Sequence, residues 1–144
     1  MHMLRKTLFL SLFFIIFGIR GSTAAEDTHV TAYYFRGNFR CANCYKIEEY
    51  AREAITKNFT GELASGELAF EIVNIDESGN SHFVEDYGLY TKSVVLSFIK
   101  DGMEKEYKNL GKIWELLGDK KGFIGYINSE VRAFLDKEKQ EEAL

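Results

Sequence analysis

The two cysteines of this 144-residue chain lie three positions apart in the stretch Gly37–Glu48, GNFRCANCYKIE. The β-branched and aromatic run Val30–Phe35 precedes this stretch and predicts a strand, and a helical pattern follows it. A Cys-x-x-Cys pair at a strand-to-helix junction is typical of a redox-active dithiol. Cys41 and Cys44 are therefore the candidate catalytic residues.

The position of the pair at the start of a helix determines its chemistry. A cysteine just before the first helical turn faces free backbone N–H groups and the positive end of the helix dipole. Both stabilise the thiolate, so the pKa of such a thiol falls below the roughly 8.5 of a free cysteine. Arg40 adds a positive charge, and no acidic residue occurs between Gly37 and Lys46. We expect Cys41 to be the exposed attacking thiol and Cys44, one turn deeper, to be the resolving thiol.

Two cysteines at this spacing also occur in structural disulfides, haem attachment sites and metal sites. A structural disulfide would close a very short loop, and the stabilisation by a disulfide falls with loop size. A c-type haem site requires a histidine where this chain has Tyr45. A zinc site usually needs four ligands. Of the available histidines, His29 lies at the far end of the predicted strand, so only His82 is left to join the two cysteines, which is one ligand too few. No metal site is predicted, although two-coordinate binding of a soft ion by Cys41 and Cys44 stays open.

Residues 1–25 have the pattern of a secretory signal peptide. Arg5 and Lys6 form a positive start, the almost unbroken apolar run Leu8–Ile19 follows, and small residues lead to a cleavage site after Ala25. The apolar run is shorter than the roughly 20 residues that span a bilayer, so an uncleaved membrane anchor is the alternative. Residues 26–144 are then expected to form one exported domain, in the periplasm or another extracytoplasmic compartment.

The charge of the exported part argues against two kinds of partner. The whole chain has 18 Lys and Arg against 22 Asp and Glu, and the signal contains Arg5, Lys6, Arg20 and no acids. The 15 remaining basic residues and 22 acidic residues give the exported part a net charge of −7. Such a domain is not expected to bind nucleic acid, or an anionic membrane by charge. Membrane association would have to run through a partner or an uncleaved signal.

The hydrophobic pattern predicts alternating strands and helices after the signal. The predicted strands are Val30–Arg36, Leu68–Ile75, Ser93–Lys100 and Met103–Tyr107, and the predicted helices are Ala42–Asn58, Ser78–Tyr87 and Gly122–Lys139, with a polar connector at Gly61–Gly66 and a further helical segment at Ile113–Leu117. Right-handed crossovers make the first two strands parallel neighbours. The Asp101-Gly102 pair predicts a hairpin between the last two strands. Helices are expected on both faces of this sheet.

This βαβαββα order, with the dithiol at the first strand-to-helix turn, resembles the thioredoxin-like fold. The resemblance implies an α/β three-layer sandwich with a mixed four-stranded sheet over residues 26–144. Thioredoxin-like proteins usually have a tryptophan before the first cysteine, Gly-Pro inside the motif and a cis-proline facing it. The corresponding residues here are Arg40, Ala42, Asn43 and Val94. A non-proline cis bond costs about 2.5–4 kcal/mol, so the bond before Val94 is predicted to be trans.

The strand before the dithiol shows a further difference from thioredoxins, which bury a carboxylate there. Tyr33 and Tyr34 occupy that region in this chain. Together with the missing proline, this difference favours reaction with one dedicated partner over general disulfide reduction. We expect the aromatic residue Phe39, in the turn, to dock such a partner, and Tyr45 to pack against the sheet.

A finer resemblance covers four segments of the chain. They are Tyr33–Glu48 (YYFRGNFRCANCYKIE), Val84–Tyr87 (VEDY), Tyr90–Leu96 (YTKSVVL) and Ile113–Leu117 (IWELL). These segments resemble the ArsF-type thioredoxin-like subunits of nitrophenyl-compound nitroreductases, which are linked to nitroaromatic arsenicals. The resemblance implies a subunit of a system with several components, including a membrane protein that donates electrons.

The chain has no flavin or nicotinamide fingerprint, so the redox-active disulfide is the only redox group expected. Nitro reduction needs electrons in pairs, and a dithiol delivers two in each cycle of disulfide exchange. The expected function is therefore a thiol–disulfide oxidoreductase subunit that relays electrons from the membrane partner to other reductase subunits through Cys41 and Cys44. The alternatives are a module that binds copper(I) or arsenic(III) through the same cysteines, and a scaffolding subunit without catalysis.

Overall fold

The run of β-branched and aromatic residues before the dithiol forms the inner strand β1 of a four-stranded sheet. The structure is a computed structural model that describes residues 27–142, so the predicted signal peptide lies outside the described residues. The elements in chain order are β1 (Thr28–Arg36), α1 (Ala42–Asn58), α2 (Thr60–Ser65), β2 (Leu68–Asn74), α3 (His82–Asp86), β3 (Ser93–Lys100), β4 (Met103–Asn109), a 3₁₀ turn (Gly111–Trp114) and α4 (Lys120–Glu142).

The sheet has the order β2-β1-β3-β4. Strand β1 pairs parallel with β2 and antiparallel with β3, and β3 pairs antiparallel with β4. Parallel pairing of β1 and β2 requires a crossover, which α1 and α2 supply. The predicted mixed four-stranded sheet is therefore confirmed, and the domain has a thioredoxin-like fold.

The main core lies between one face of the sheet and the two long helices. Alternate residues of β1 (Val30, Ala32 and Tyr34) belong to this core together with the apolar stripes of α1 and α4. A smaller core on the opposite face joins Phe35 and Val95 to residues around α3. Helices therefore cover both faces, as the pattern predicted. None of the helices within residues 27–142 has the length and apolarity to cross a bilayer.

The strongest local signals predicted their elements well. Helix α1 has the predicted bounds, and β3 does too. The hairpin turn after β3 has positive φ at both Asp101 (+54°) and Gly102 (+70°), as a two-residue turn of the I′ type requires.

Several predicted elements differ from the structure in their bounds. Helix α2 starts one residue before the predicted connector at Gly61–Gly66, β4 continues to Asn109, and the helical segment predicted at Ile113–Leu117 is the 3₁₀ turn Gly111–Trp114. Strand β1 starts two residues earlier than predicted, β2 ends one residue earlier, and α4 extends beyond both predicted ends. Helix α3 is shorter than predicted because the chain after β2 forms turns: the N–H groups of Glu77 and Asn80 donate to the carbonyls of Asn74 and Glu77, and Gly79 has a φ of +94°.

Candidate redox site

Cys41 is the N-cap residue of α1, with extended backbone angles (φ −103°, ψ 169°). Its sulfur accepts the backbone N–H of Cys44 at 3.3 Å, and the Cys44 sulfur accepts the backbone N–H of Cys41 at 3.1 Å. The sulfurs thus take the place of oxygen acceptors in a capping box. The two residues form a disulfide with their Cα atoms 5.1 Å apart, within the usual range for a bridged pair.

The surroundings of the two sulfurs differ as expected. Cys41 is partly exposed, whereas Cys44 is fully buried on the same face of α1 as Ile47 and Ala51. The hydroxyl of Tyr34, in β1, donates to the carbonyl oxygen of Cys44 at 2.8 Å. This bond joins the inner strand to the first turn of α1.

Tyr34 itself is fully buried. Burial raises its pKa to about 12; the charge of Arg40 opposes this shift and that of Glu48 adds to it. A hydroxyl that keeps its proton remains a donor to the Cys44 carbonyl at any ordinary pH.

An ion pair joins two residues that flank the dithiol in the sequence, Arg40 before it and Glu48 after it. The Arg40 guanidinium donates to the Glu48 carboxylate, and Glu48 also contacts Arg52 at 3.2 Å. The Arg40 guanidinium carbon lies 4.1 Å from the centre of the Tyr45 ring. The sequence predicted a positive charge beside the cysteines at Arg40, but the role of Glu48 was not predicted. A signal was present: Glu48 follows Cys44 by one helical turn, so the two residues share a side of α1.

The aromatic residues around the dithiol do not all lie where we predicted. Phe39 is 77% exposed, as expected for a turn residue. The prediction that Tyr45 packs against the sheet is wrong, because Tyr45 is 57% exposed and packs against Arg40 instead. Residue 45 directly follows the buried Cys44, and a step of one residue on a helix turns the side chain away from the sheet. Tyr90, which was not predicted to belong to the site, is 99% exposed.

A groove of about 190 Å³ lies between two of these aromatics, with Phe39 and Tyr90 among its lining residues and Lys92 beside them. The Lys92 ammonium lies 5.8 Å from the centre of the Phe39 ring. Ala42 and Asn43, the two residues between the cysteines, are exposed in the first turn of α1.

Val94 lies where the element order predicted, in the second position of β3. It is fully buried and pairs in register with Tyr34. The peptide bond before it is trans, since residues 27–142 contain no cis peptide bond, and this prediction is confirmed. The Val94 carbonyl accepts the backbone N–H of Leu110 at 2.8 Å.

A polar network holds the loop that leads into the dithiol. The Asp76 carboxylate accepts the backbone N–H of Asn38 at 2.6 Å. The amide group of Asn74, at the end of β2, donates to the Asn38 side chain at 2.8 Å and to Glu77 at 3.2 Å. The fold therefore brings an acidic residue, Asp76, against a segment in which the sequence itself has no acid.

The metal-binding alternative gains no third ligand from the described residues. No group of three or more His, Cys, Asp or Glu side chains within residues 27–142 is arranged to hold a metal ion. Cys41 and Cys44 would have to bind a soft ion by themselves. The arrangement as it stands, a disulfide at the N-terminus of a helix in a thioredoxin-like fold, indicates a thiol–disulfide redox protein.

Comparisons with known proteins gave structural resemblances. No protein-family model matches the chain, and no curated protein matches its sequence. Similar solved structures include thioredoxin O2 of Arabidopsis thaliana in the oxidised state, with 21% identity, a TM-score of 0.39 and coverage of 62% of this chain and 70% of that one. Thioredoxin f2 of Chlamydomonas reinhardtii has 11% identity and a TM-score of 0.38, with coverage of 62% and 73%. Fasciola hepatica thioredoxin has 20% identity and a TM-score of 0.37, with coverage of 65% and 82%.

Proposed function

We propose that this chain is a thiol–disulfide relay protein that exchanges electron pairs with a dedicated partner through Cys41 and Cys44. The observation that carries the proposal is the unequal placement of the two sulfurs, one partly exposed at the N-cap of α1 and one buried in its first turn. An accessible thiol attacks, and a shielded neighbour resolves the product.

The exchange proceeds in two steps. The Cys41 thiolate attacks one sulfur of the partner disulfide, a bond forms between Cys41 and the partner, and the other partner sulfur leaves as a thiolate that takes up a proton. Cys44 then loses its proton and attacks the Cys41 sulfur, which closes the Cys41–Cys44 disulfide and releases the second partner sulfur as a thiol. Two electrons thus move to the partner, whose two sulfurs take up two protons from solution, to which Cys41 and Cys44 have each lost one. A dithiol in an electron-donor protein restores the reduced form by the reverse exchange.

The surface around Cys41 supports a dedicated partner. Phe39 and Tyr90 are exposed beside a groove, and exposed aromatics commonly anchor protein partners. In place of the proline of thioredoxins, the buried β-branched Val94 stands at the start of β3.

The resemblance to ArsF-type subunits extends the proposal to a system that reduces nitrophenyl compounds, including a membrane electron donor. The direct test is complementation of cells that lack this chain, with reduction of a nitrophenyl arsenical as the readout. The unchanged chain is expected to restore reduction, and Cys41→Ser and Cys44→Ser are expected to fail. Restoration by the double serine variant would instead show a scaffolding subunit.

The reduction potential of the purified domain tests the direction of electron flow. A value near about −270 mV fits a reductive relay, and a value near about −120 mV fits an oxidant. The same reduced preparation, freed of metal, tests the binding alternative. Stoichiometric binding of copper(I) or arsenic(III) tighter than about micromolar, lost in Cys41→Ser, would favour a soft-metal module over a relay.

We also propose that the domain acts outside the cytoplasm after removal of residues 1–25. Intact-mass measurement of protein from the exported fraction is expected to show a chain that starts at Glu26. A mass that still includes residues 1–25 would indicate a membrane-anchored domain.

A further inference from the structure

The Arg40–Glu48 ion pair joins the residue before the dithiol to the helix that carries it. The two residues are eight positions apart, and both cysteines lie between them. Their side chains are only 20% and 19% exposed. Because so little of either side chain contacts water, the effective dielectric around this pair is lower than around an ordinary surface pair. The charges therefore act more strongly on neighbouring groups.

The pair is held at the first turn of α1 from several sides. The Tyr45 ring lies against the guanidinium of Arg40 at 4.1 Å, and Arg52 contacts the second oxygen of Glu48 at 3.2 Å. Arg40 directly precedes Cys41, Glu48 follows Cys44 by one helical turn, and the Tyr34 hydroxyl donates to the Cys44 carbonyl at 2.8 Å between them and the sheet. The opposite charges therefore lie beside the backbone of the resolving cysteine.

We infer that Arg40 and Glu48 are positioning residues that set, with opposite signs, the stability of the thiolate in the reduced dithiol. This inference rests on the proposed function and names the side chains that tune it. Arg40 stabilises a thiolate by its positive charge, and Glu48 opposes it. Arg40 lies directly before α1, so its positive charge adds to the field of the helix dipole at the N-terminus, and Glu48 reduces this effect.

Other charged or titratable groups also surround this end of α1. They are Tyr34 and Arg36 on β1, Asp76 after β2, Lys92 before β3, Tyr45, Lys46 and Glu49 on α1, and Lys120 of α4, which contacts Glu49 at 3.4 Å. These groups stay the same when Arg40 or Glu48 is neutralised. A difference in the Cys41 pKa between the Arg40 and Glu48 variants therefore depends on the sign of the charge that was removed.

The test compares Arg40→Gln, Glu48→Gln and the double variant in the reduced domain. The pKa of the Cys41 thiol is measured by the pH dependence of its alkylation rate. The acid dissociation constant of this thiol is expected to fall about threefold in Arg40→Gln and to rise about threefold in Glu48→Gln. The dissociation constant in the double variant is expected to be close to that of the unchanged protein. In Arg40→Lys it is expected to change less than in Arg40→Gln.

The matched control is Glu53→Gln, which removes a carboxylate from α1 about 13 Å further along the axis than Cys44.

A second measurement uses the exchange equilibrium with glutathione, in which one protein disulfide and two glutathione thiols give one protein dithiol and one glutathione disulfide. Stabilising the thiolate favours the reduced protein, so the equilibrium constant at alkaline pH is expected to fall in Arg40→Gln and rise in Glu48→Gln.

Three results would overturn the inference. They are shifts of the Cys41 dissociation constant with the same sign in both single variants, which a purely structural ion pair would produce, no shift in either variant, or an equal shift in Glu53→Gln.

If Arg40→Gln fails to fold, Glu48→Gln and Arg40→Lys still decide the question. Glu48→Gln must raise the dissociation constant, and Arg40→Lys must change it less than Glu48→Gln does. Failure of the unchanged protein to exchange with glutathione would count against the relay function alone, because alkylation of the reduced protein tests the inference independently.

Discussion

At the scale of single residues, Cys41 and Cys44 are close in sequence but have different surroundings. Cys41 lies before the helix and is partly exposed, and Cys44 is buried against the sheet. Exposure and the helix dipole favour the thiolate of the first cysteine, whereas burial disfavours that of the second. This difference supports an order of attack in which Cys41 reacts first.

The order of attack can be tested with single serine variants. Cys44→Ser is expected to accumulate a mixed disulfide with the natural partner through Cys41, because no resolving thiol remains. Cys41→Ser is expected to trap little. Mass spectrometry of complexes resolved without reductant measures both. Trapping through Cys44 as readily as through Cys41 would contradict the order, and alkylation of the reduced protein at mildly acidic pH should modify Cys41 first.

Phe39 and Tyr90 give a second prediction at this scale. Because both side chains are largely exposed, Phe39→Ala and Tyr90→Ala should change the free energy of unfolding by less than about 0.5 kcal/mol. Each is expected to slow exchange with the partner captured by Cys44→Ser about tenfold, while exchange with oxidised glutathione stays the same. Met103→Ala is the matched control, because Met103 is also exposed but starts β4, at the opposite end of β3 from Val94. Equal slowing by Met103→Ala, or a large loss of stability in Phe39→Ala, would exclude docking.

At the scale of elements, the dithiol depends on how two loops meet at the ends of β1 and β2. Arg36 and Asn74 are paired at the ends of these parallel strands, and Asn74 is 5% exposed. Its amide bonds to Asn38 and Glu77 connect the loop before α1 to the loop after β2. Helix α1 therefore begins from a loop that is braced by a neighbouring strand.

Asn74→Ala tests this bracing. The substitution removes the hydrogen bonds of a buried side chain to Asn38 and Glu77 and from the Asp76 N–H. The expected loss is about 1–3 kcal/mol in the free energy of unfolding, measured with urea. Hydrogen exchange should speed up at the backbone amide of Asn38. Asn109→Ala, at an exposed asparagine at the end of β4, serves as the control and should cost less than about 0.5 kcal/mol. Unchanged stability and exchange in Asn74→Ala would show that the loops are held by other contacts.

At the scale of the whole molecule, two buried tyrosines couple stability to pH on either side of the sheet. Burial raises the pKa of Tyr34 to about 12. Burial, with a further contribution from its bond to Glu104, also raises the pKa of Tyr87. Both groups hold their protons more tightly in the folded chain than in the unfolded one, where the pKa of tyrosine is about 10.

Stability is therefore expected to be constant with respect to these groups below about pH 10 and to fall as the pH rises toward about 12. Urea unfolding at increasing pH measures this slope. Tyr34→Phe and Tyr87→Phe should each flatten it, even though each also loses a hydrogen bond, which costs about 1 kcal/mol at neutral pH. Tyr90→Phe, at a fully accessible position, should leave the slope unchanged. An equally steep slope in Tyr34→Phe would mean that general charge repulsion causes the alkaline loss.

Much of the architecture could be predicted because its signals are local. The bounds of α1 follow from the apolar spacing between Ala42 and Asn58, and the hairpin follows from Asp101-Gly102. Helix α3 was predicted too long because side-chain bonds of Asn74 and Asn80 hold turns that hydrophobic spacing does not report. Tyr45 was assigned to the wrong environment because the step of one residue from the buried Cys44 turns its side chain away from the sheet, where Arg40 contacts it.

The sequence by itself determined that this protein has a dithiol at a strand-to-helix junction, with one cysteine before the helix and one inside its first turn. Those properties depend on residues within a few positions of each other, and local backbone geometry decides them. Only the tertiary structure decided that Tyr34 contacts the Cys44 carbonyl, that Glu48 pairs with Arg40 and that Asp76 holds the Asn38 backbone. Packing of α1 on the sheet and the parallel crossover to β2 bring these groups together, and contacts of that kind depend on how distant segments meet rather than on local spacing.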